Sequence, residues 1–436
     1  MANRLVQSAL VVVVCALSCV PAEPPENHLT KQDYEWLTHV LNTVRDDIKK
    51  NYYDPGFHGL DINQRFLQAE TKIGSAPDRN YAVADIAGAV TALNDSHTVF
   101  LPPARPYTHE YGWRMQAGGD SDCFITAVRP GSDAEKKGLK PGDQVLSVAG
   151  YTAIRSDLWK IEYVYGALRP QFGLRLVVRS PNGDTHQLDT MADLRPIKWE
   201  PWNFEEKLLD LYHLHLPRTA EYGKSVIIYK LADFAFDADR ANEMLDKIRS
   251  HESLVLDLRG NPGGYVDFLS RFLGGMFDHE VKMGDRVGRK PLHGSVTKSR
   301  GSKTFAGKLV VLIDSKSASA AEMFARIVQM EKRGTVIGDR SSGMVMESKL
   351  YTHEIATEHG MVHYAVSITD ANIVMSDGRS LEGVGVVPDE RIIPTASDMA
   401  AGRDPALARA AELVGIKLTP EEAGKLFPMQ WYKDGE

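Results

Sequence analysis

The chain has 436 residues, 43% of them hydrophobic and 25% charged, which predicts two to four globular domains with cores of their own. Its formal net charge of −7 gives no reason to expect a nucleic acid as a partner. Two of the 3 cysteines, Cys15 and Cys19, lie near the N-terminus, which excludes a disulfide framework and a cysteine metal site. No cofactor is expected.

Residues 1–22 predict a signal peptide. Arg4 provides a positive charge, residues 9–17 form an apolar stretch, and small residues suited to cleavage follow. The stretch is too short to span a membrane comfortably, so we expect the protein to be exported, into the periplasm or out of the cell. Lipidation at Cys19, which would tether the protein to a membrane, and an uncleaved anchor both stay open.

Residues 30–106 predict a helical N-terminal domain. The segment YEWLTHVLNTVRDDIKKNYY, residues 34–53, places apolar side chains at helical spacing, and residues 61–73 and 81–93 repeat that character. Prolines between positions 102 and 106 end the region.

Residues 110–192 predict a compact, strand-rich module. Residues 124–150 alternate a strand, a turn, a short helix, a Pro-Gly-Asp turn and another strand. GLRLVVR, residues 173–179, is a further strand, and the SPNG that follows it is typical of a hairpin turn.

Residues 195–395 alternate strands with helices, which predicts a mostly parallel sheet flanked by helices. The strands are predicted at 225–231, 253–258, 308–314 and 335–337, and the helices at 239–250 and 320–332. After residue 345 the pattern favours an antiparallel ribbon, and residues 396–436 predict a helical tail.

The segment DSKSASAAEMF, residues 314–324, lies where a predicted strand gives way to a predicted helix, and it has two interpretations. Ser319 and Glu322 fit a capping box, which is a purely structural role. The same position would hold a nucleophilic serine rigidly beside a helix N-terminus, where the Ala320 N–H would donate to a developing oxyanion. The spacing alone does not decide between the two.

Two further segments favour the catalytic interpretation. The loop at 257–264, DLRGNPGG, follows a predicted strand, and the N–H of Gly263 or Gly264 would be the second oxyanion donor. A serine hydroxyl also needs a base, and His97 in NDSHTVFLPP suits that role near neutral pH. Each segment also has a plain structural interpretation, as a tight turn and as a structural or exposed histidine.

Several motifs, in order along the sequence, resemble those of the carboxy-terminal processing peptidases, also called tail-specific proteases. They are NDSHTVFLPP, DLRGNPGGYVDFL, DSKSASAAEMFARI, VIGDRSSG and SLEGVGVVPDE, while GSDAEKKGLKPGDQVLSVAG resembles the core of a PDZ domain. The resemblance covers nearly the whole sequence after the leader. It implies a multidomain α/β protein with a crotonase- or ClpP-like serine peptidase core, and it places the nucleophile at Ser319.

The sequence departs from the Ser-Lys dyad that many members of this family use. The dyad lysine stands 25 residues after the serine, where this protein has Met344, whose thioether does not take up a proton. Lys349 would face away from Met344 on a strand, because the offset between them is odd.

A second branch of the family resembles the core of tricorn protease and uses a serine, a histidine, a second serine and a glutamate. Its histidine directly follows the second serine at the end of the helical domain, as His97 follows Ser96 here. By this resemblance Ser319 is the nucleophile and His97 its general base. The acid that completes the relay is expected to be Glu382, with Asp377 and Glu347 as alternatives.

The PDZ-like module implies recognition of peptides by strand addition, or gating of the site. A loop for a terminal carboxylate is expected just before FITAV, around Gly118 to Cys123, but Asp120 and Asp122 in that loop would repel a carboxylate. Whether the module binds the C-termini of polypeptides therefore stays open.

The sequence thus predicts an exported serine endopeptidase that cleaves peptides or unfolded protein segments through an acyl-enzyme on Ser319. Relatives of this core include retinoid-binding modules that no longer act as proteases, so the alternative is a noncatalytic peptide or ligand binder. The intact SASAAE motif, together with Ser96 and His97, argues against that alternative. The sequence carries no signal for an oligomeric state.

Overall fold

The computed structural model of the protein describes residues 29–196, 217–290, 294–357 and 360–431. The predicted signal peptide and Cys19 lie outside these residues. Within the described ranges, no helix combines the length and the apolar character that crossing a membrane requires.

The N-terminal region is helical, with α1 at Lys31–Asn51, α2 at Ile62–Ile73 and α3 at Arg79–Thr91. Each helix begins after a residue whose side chain accepts a hydrogen bond from the first turn, and these residues are Thr30, Asp61 and Asp78. The helices bury their apolar faces in a common core. The short strand β1, Val99–Leu101, follows them.

A strand-rich module comes next. Its strands are β2 Tyr107–Glu110, β3 Trp113–Gly118, β4 Asp122–Val128, β5 Gln144–Val148, β6 Tyr151–Thr152, β7 Gly173–Arg179, β8 Thr185–Met191 and β9 Asp193–Pro196. Its helices are α4 Asp133–Lys136 and α5 Leu158–Tyr163. The main sheet is antiparallel in the order β3-β4-β5-β7-β8, so β3 lies at an edge, and β6 pairs with β5. The remaining strands, β2 and β9, pair with each other.

The third region alternates strands and helices. Its strands are β10 Arg218–Tyr222, β11 Val226–Lys230, β12 Ser253–Asp257, β13 Val281–Val287, β14 Ser295–Thr297, β15 Lys308–Ile313, β16 Thr335–Gly338, β17 Met346–Thr357, β18 Gly360–Val374 and β19 Glu390–Arg391. Its helices are α6 Ala238–Arg249, α7 Val266–Gly274 and α8 Ala320–Met330. The strands and helices predicted before residue 345 are all present, with bounds within two residues of those expected.

The main sheet of this region has the order β10-β11-β12-β15-β16-β19, and only the pair β10 and β11 is antiparallel among the described strands. Both faces are buried, since Leu254 and Leu256 belong to the core with α6, α7 and α8, while Val255 belongs to the core on the opposite face. Continuous apolar strands of this kind are typical of a parallel sheet covered on both sides.

A second, antiparallel sheet carries the ribbon predicted after residue 345. It joins β1, β18, β13 and β14 in that order, and β17 pairs with β18. Val99 of β1 lies opposite Ser367 of β18, so the end of the helical region is bonded to the ribbon. This pairing brings the segment just before β1 close to the main sheet.

The C-terminal tail is helical, with α9 at Ala396–Ala400, α10 at Pro405–Leu413 and α11 at Pro420–Gly424. Helix α10 packs on the face of the main sheet opposite to α8. Its first turn is held by Asp404, whose carboxylate accepts hydrogen bonds from Arg259 at 2.7 and 2.9 Å.

Two loops meet at the carboxyl edge of the main sheet. Strands β12 and β15 are parallel neighbours, with Asp257 opposite Leu312, so the segments that follow them emerge side by side. The first loop carries Gly263 and Gly264, and the second carries Ser319. Clefts outside the carboxyl ends of parallel strands are the usual place for binding sites in such sheets.

Candidate active site

Ser319 lies at the junction between β15 and α8 in a strained conformation, with φ 53° and ψ −116°. A positive φ is unfavourable for a residue with a Cβ and persists only where the surroundings impose it. Its N–H donates to the carbonyl oxygen of Met344 at 2.9 Å and to Glu322 Oε2 at 3.0 Å. The backbone of the predicted nucleophile is therefore held from two sides.

Glu322 has a wider role than the capping box expected from the sequence. Its fully buried carboxylate also accepts hydrogen bonds from the Ser341 hydroxyl at 2.6 Å, from the Gly343 N–H at 2.7 Å and from the Met344 N–H at 2.9 Å. Burial raises the pKa of Glu322 to about 7, although these hydrogen bonds act to lower it. One carboxylate thus clamps the start of α8 to the loop before β17.

His97 reaches Ser319 from the segment before β1. Its Nε2 lies 3.4 Å from Ser319 Oγ, across 222 positions of sequence. The loop is fixed by Asp95, whose Oδ1 accepts hydrogen bonds from the N–H groups of His97 and Thr98 at 3.0 and 2.7 Å and from the Thr369 hydroxyl at 2.6 Å. Because Thr369 belongs to β18, these bonds tie the histidine to the ribbon.

Ser96 connects His97 to Glu382. Its Oγ lies 2.7 Å from His97 Nδ1 and donates to Glu382 Oε2 at 2.8 Å. A hydroxyl has one proton, so when that proton is given to the carboxylate, Nδ1 must be the protonated ring nitrogen. This tautomer leaves Nε2 as an acceptor facing the Ser319 hydroxyl. Glu382 also accepts from the N–H groups of Ser96 and Val345, both at 2.8 Å.

The electrostatics of this group favour a neutral imidazole. Burial lowers the pKa of His97 to about 4, and the nearby charge of Asp95 only partly opposes that shift. Burial raises the pKa of Glu382, while its hydrogen bonds from Ser96 and Val345 act in the other direction. At neutral pH the ring is therefore uncharged, as a proton acceptor has to be.

The two alternative acids are placed elsewhere. Asp377 is bonded to Arg326, and Glu347 accepts a hydrogen bond from Arg286 at 2.6 Å. Neither is bonded to Ser96 or His97 within the described structure. Of the three carboxylates considered from the sequence, Glu382 alone joins this group.

Lys349 lies away from Ser319, but the reason given from the sequence is wrong. Strand β17 begins at Met346, after Met344, and it has a bulge between Glu347 and Ser348, so an even or odd offset from Met344 carries no information. The Lys349 ammonium instead pairs with Asp370 at 2.6 Å, and 63% of its side chain is exposed.

The two glycines of the 257–264 loop differ in their surroundings. The Gly263 N–H donates to Asn261 Oδ1 at 2.8 Å, and a Cβ on Gly263 would lie 2.7 Å from the Ser319 Cβ. Gly263 is thus a close-packing position with an occupied amide. Gly264 and Ala320 line a cavity of about 320 Å³ together with Ser319 and His97, and no described residue accepts a hydrogen bond from either amide.

The hairpin around Gly118 to Cys123, expected to bind a carboxylate, is docked on the main-sheet region instead. The Gly119 N–H donates to Asp339 Oδ2 at 3.0 Å, and Asp120 pairs with Arg391 at 2.9 Å. The Gly119 amide and the Asp120 carboxylate are therefore already bonded to the neighbouring region, and binding of a terminal carboxylate by this hairpin stays a prediction.

Comparisons with known proteins concern two parts of the sequence. Residues 226–392 match peptidase family S41, and residues 103–156 match the PDZ domain. A tail-specific protease from Haemophilus influenzae is 25% identical over 268 residues, which are 57% of this chain and 36% of that protein. The chloroplastic C-terminal processing peptidase of Tetradesmus obliquus is 25% identical over 368 residues, 80% of this chain and 75% of that protein.

Residues 226–392 form an S41 peptidase domain. This match and the named relatives support a serine-type peptidase that also carries a PDZ domain. Among solved structures, mature CPAF matches this S41 peptidase with a TM-score of 0.62 at 13% identity, over 84% of this chain and 94% of that chain, which shows a shared fold. The sequence spans about a third of the Haemophilus protein and three quarters of the Tetradesmus protein.

Met344 stands at the position of the dyad lysine, and it contributes to the site through its backbone atoms. The Met344 N–H donates to Glu322 and its carbonyl oxygen accepts from Ser319, so this loop still positions Ser319 although the side chain has no acid–base function. The sequence reasoning missed this clamp, and it also missed Asp95 and Asn261. A Ser-x-x-Glu pattern signals a cap, but nothing in it signals the distant donors that the carboxylate collects.

Metal ligation has no visible basis in the described ranges of this S41 peptidase, where no three His, Cys, Asp or Glu side chains are grouped so that they could hold an ion. The polar groups around Ser319 are engaged in the hydrogen bonds given above. The residues that line the cavity thus offer a hydroxyl on Ser319, an imidazole acceptor on His97, and the amides of Gly264 and Ala320, which no described residue engages.

Proposed function

We propose that this S41 peptidase is an exported serine endopeptidase that cleaves peptides or unfolded protein segments through an acyl-enzyme on Ser319. The observation that carries the proposal is the 3.4 Å distance between Ser319 Oγ and His97 Nε2. Hydrogen bonds between a nucleophile and its base are about 2.6–3.2 Å long, and they are often longer without substrate. A small movement on substrate binding brings this pair into range.

In the proposed reaction His97 is the general base. Its Nε2 takes the proton of the Ser319 hydroxyl as Oγ attacks the substrate carbonyl, and it then gives that proton to the leaving amine. The transient imidazolium donates from Nδ1 to Ser96, whose hydroxyl donates to Glu382. The carboxylate thereby stabilises the positive charge through the second serine. A water activated by His97 releases the acyl group.

The amides of Ala320 and Gly264 are the proposed oxyanion donors. Gly264 and Ala320 both line the cavity at Ser319 and neither amide donates to a described residue, whereas the Gly263 amide is bonded to Asn261. The N-terminus of α8 adds positive potential at the same place. Removing one such donor typically costs about 10²–10³-fold in rate.

The PDZ domain is proposed to recognise or gate substrates next to the catalytic loop. It contacts that loop directly, because Gln116 Nε2 donates to Asp314 at 2.7 Å and the Ser315 hydroxyl donates to the Ala117 carbonyl oxygen at 2.6 Å. These contacts lie on the edge strand β3, where strand addition would place a peptide. Export is proposed from the leader at residues 1–22, and a membrane tether through Cys19 is part of the same proposal.

Replacing the nucleophile tests the proposal. Ser319→Ala removes the attacking oxygen, so we expect loss of cleavage of a denatured protein substrate and loss of labelling by a fluorophosphonate, with unfolding unchanged. The control is Ser250→Ala, at the exposed end of α6, which keeps both activities. Cleavage by the Ser319 variant would rule out the acyl-enzyme, and a wild type that neither cleaves nor reacts favours a noncatalytic binder.

Replacing the base tests the relay. General-base catalysis typically contributes about 10²–10⁴-fold, so His97→Ala should lower kcat by that amount while substrate binding persists. Lys349→Ala is the matched control, since its ammonium is bound to Asp370 and we expect near wild-type turnover. If the Lys349 variant were inactive and the His97 variant active, the lysine would be the general base.

A further inference from the structure

The cavity next to Ser319 has an apolar wall. The wall is formed by side chains that are at most 9% exposed, namely Leu269, Met283, Met323, Met346 and Ile373. Unbranched methionine side chains adapt to the shape of what packs on them. The cavity of about 320 Å³ is large enough for one sizeable side chain of a bound peptide.

The apolar wall lies next to the residues that would hold the scissile bond. Met323 lies one helical turn after Ala320 on α8, and Met346 follows Val345, whose N–H donates to Glu382. The cavity is also lined by Ser319 and by both proposed oxyanion donors. A substrate carbonyl held at those donors would therefore place the side chain of its own residue in the cavity that the methionines line.

One ion pair interrupts the apolar wall. Arg286 and Glu347 both line the cavity and are bonded at 2.6 Å. Asp370 lies 3.9 Å from Arg286 and also pairs with Lys349 at 2.6 Å, so two cations face two carboxylates. The Arg286 Nε–H is buried and has no acceptor in the described structure, which leaves one donor of the guanidinium unused.

We propose that this cavity is the S1 pocket and that Glu347 sets its specificity by neutralising Arg286, so that the enzyme cleaves after large apolar residues such as Leu, Met and Phe. This inference rests on the proposed function. Apolar P1 side chains bury their surface on the methionines. An acidic or a basic P1 side chain meets an ion pair that is already neutralised, so its own charge would be buried without a partner.

The first test is the distribution of cleavage sites. An unfolded protein substrate is digested with wild-type enzyme, and the new C-termini are identified by mass spectrometry. Hydrophobic pockets discriminate by about 10–200-fold per missing group, so Leu, Met and Phe should exceed Ala and the charged residues by at least about tenfold. Cleavage without this preference overturns the pocket assignment and leaves the proposed function standing. No cleavage by wild type and by Ser319→Ala alike overturns the proposed function itself.

The second test changes the charge of the pocket. Glu347→Gln removes the nearest counter-charge of Arg286, so kcat/KM for a peptide with Glu at P1, divided by that for Leu at P1, should rise about tenfold or more. The ratio is internal to one preparation, so a partly unfolded sample does not alter it. Adding Arg286→Met to this variant should return the ratio to the wild-type value.

A matched control is Glu354→Gln, on the same strand β17 with 66% of its side chain exposed, which should leave the ratio unchanged. An unchanged ratio in Glu347→Gln overturns the inference. A raised ratio that persists after Arg286→Met is added overturns it as well, because the charge would then act from another group.

Discussion

His97 has a hydroxyl on each side of its ring, Ser319 at Nε2 and Ser96 at Nδ1. The charge of Glu382 therefore reaches the imidazole through a serine and not by direct contact, which weakens its attraction for an imidazolium. Burial of the ring acts in the same direction. The consequence is a base that is neutral in the resting enzyme and that releases its proton readily to the leaving amine.

The pH dependence of kcat/KM follows from this arrangement. The pKa of His97 is lowered from 6.5 to about 4, so the ring stays neutral as the pH falls from 7 through 6.5. We expect the acid limb of kcat/KM to lie below pH 6.5, where the imidazole of the free enzyme takes up a proton. Rates on a peptide without titratable side chains, from pH 4 to 8, check this.

The control for this profile is the folded state, followed by circular dichroism over the same pH range. A limb at or above pH 6.5 in folded enzyme would contradict the lowered pKa.

Glu322 makes a separate prediction about stability. Burial raises its pKa from 4.5 to about 7, so the folded protein holds a proton that the unfolded chain releases between those values. Its contribution to the free energy of unfolding is complete below pH 4.5 and is lost as the pH rises through 7. In Glu322→Gln this dependence is absent. The difference in free energy of unfolding between wild type and variant should therefore move by roughly 1–3 kcal/mol in favour of wild type between pH 8 and pH 5.

Urea unfolding of both proteins at several pH values measures that difference. Gln187→Ala, at an exposed position on β8 that carries no titratable group, serves as the control and should give a difference that stays constant with pH. A constant difference for Glu322→Gln would mean that its carboxylate is ionised throughout the range.

At the scale of elements, strands and helices of the third region follow from apolar periodicity, as β12, β15 and α8 illustrate. Periodicity fails where regular structure is interrupted. The bulge between Glu347 and Ser348 breaks the alternation of side chains along β17. The sequence of the hairpin after β3 is typical of an open loop, but Asp339 accepts a hydrogen bond from its Gly119 amide. Both features depend on partners far away in sequence, which local patterns do not encode.

The loop between β15 and α8 is supported by the PDZ domain, and this makes a prediction at the same scale. Gln116→Ala removes the amide that donates to Asp314. A hydrogen bond to a charged group contributes about 1.5–3 kcal/mol to the stability of the folded protein. Only a part of that free energy stabilises the transition state, so we expect kcat to fall about three- to tenfold. The rate of fluorophosphonate labelling should fall in parallel, because the probe does not need the PDZ domain for binding.

Gln187→Ala, exposed on β8 of the same domain, is the control and should react at the wild-type rate. Slower peptide cleavage with unchanged labelling would assign Gln116 to substrate capture and not to support of the loop.

At the scale of the whole molecule, three regions meet at one cleft. The helical region brings Ser96 and His97 through the pairing of β1 with β18, and the ribbon is followed by Glu382. The order of motifs in the sequence was sufficient to name these residues by resemblance. It was not sufficient for the Glu322 clamp or the Arg286–Glu347 pair. Each of these depends on contacts between segments that are distant in the sequence, and no recurring sequence pattern marks such contacts.

Arg155 also joins the PDZ domain to this cleft. Its guanidinium donates to Asp339 at 2.9 Å and to the carbonyl oxygens of Gly119 and Ser341 at 2.6 and 3.1 Å, and its side chain is only 10% exposed. The Ser341 hydroxyl donates in turn to Glu322, which holds the N–H of Ser319. A continuous set of hydrogen bonds thus runs from the PDZ domain to the proposed nucleophile.

Arg155→Met should therefore affect both the stability and the activity of the molecule. Removing one partner of a buried ion pair typically costs about 3–5 kcal/mol, and Arg391, which lies 3.5 Å from Asp339, offsets only part of that loss. We expect a lower midpoint of thermal unfolding, faster proteolysis between the PDZ domain and the core, and a lower kcat. Arg175→Met, which breaks an exposed pair with Asp189 in the same domain, should change none of these. If Arg155→Met keeps the wild-type midpoint and turnover, the PDZ domain is held on the core by other contacts, and its support of Ser319 does not pass through Ser341 and Glu322.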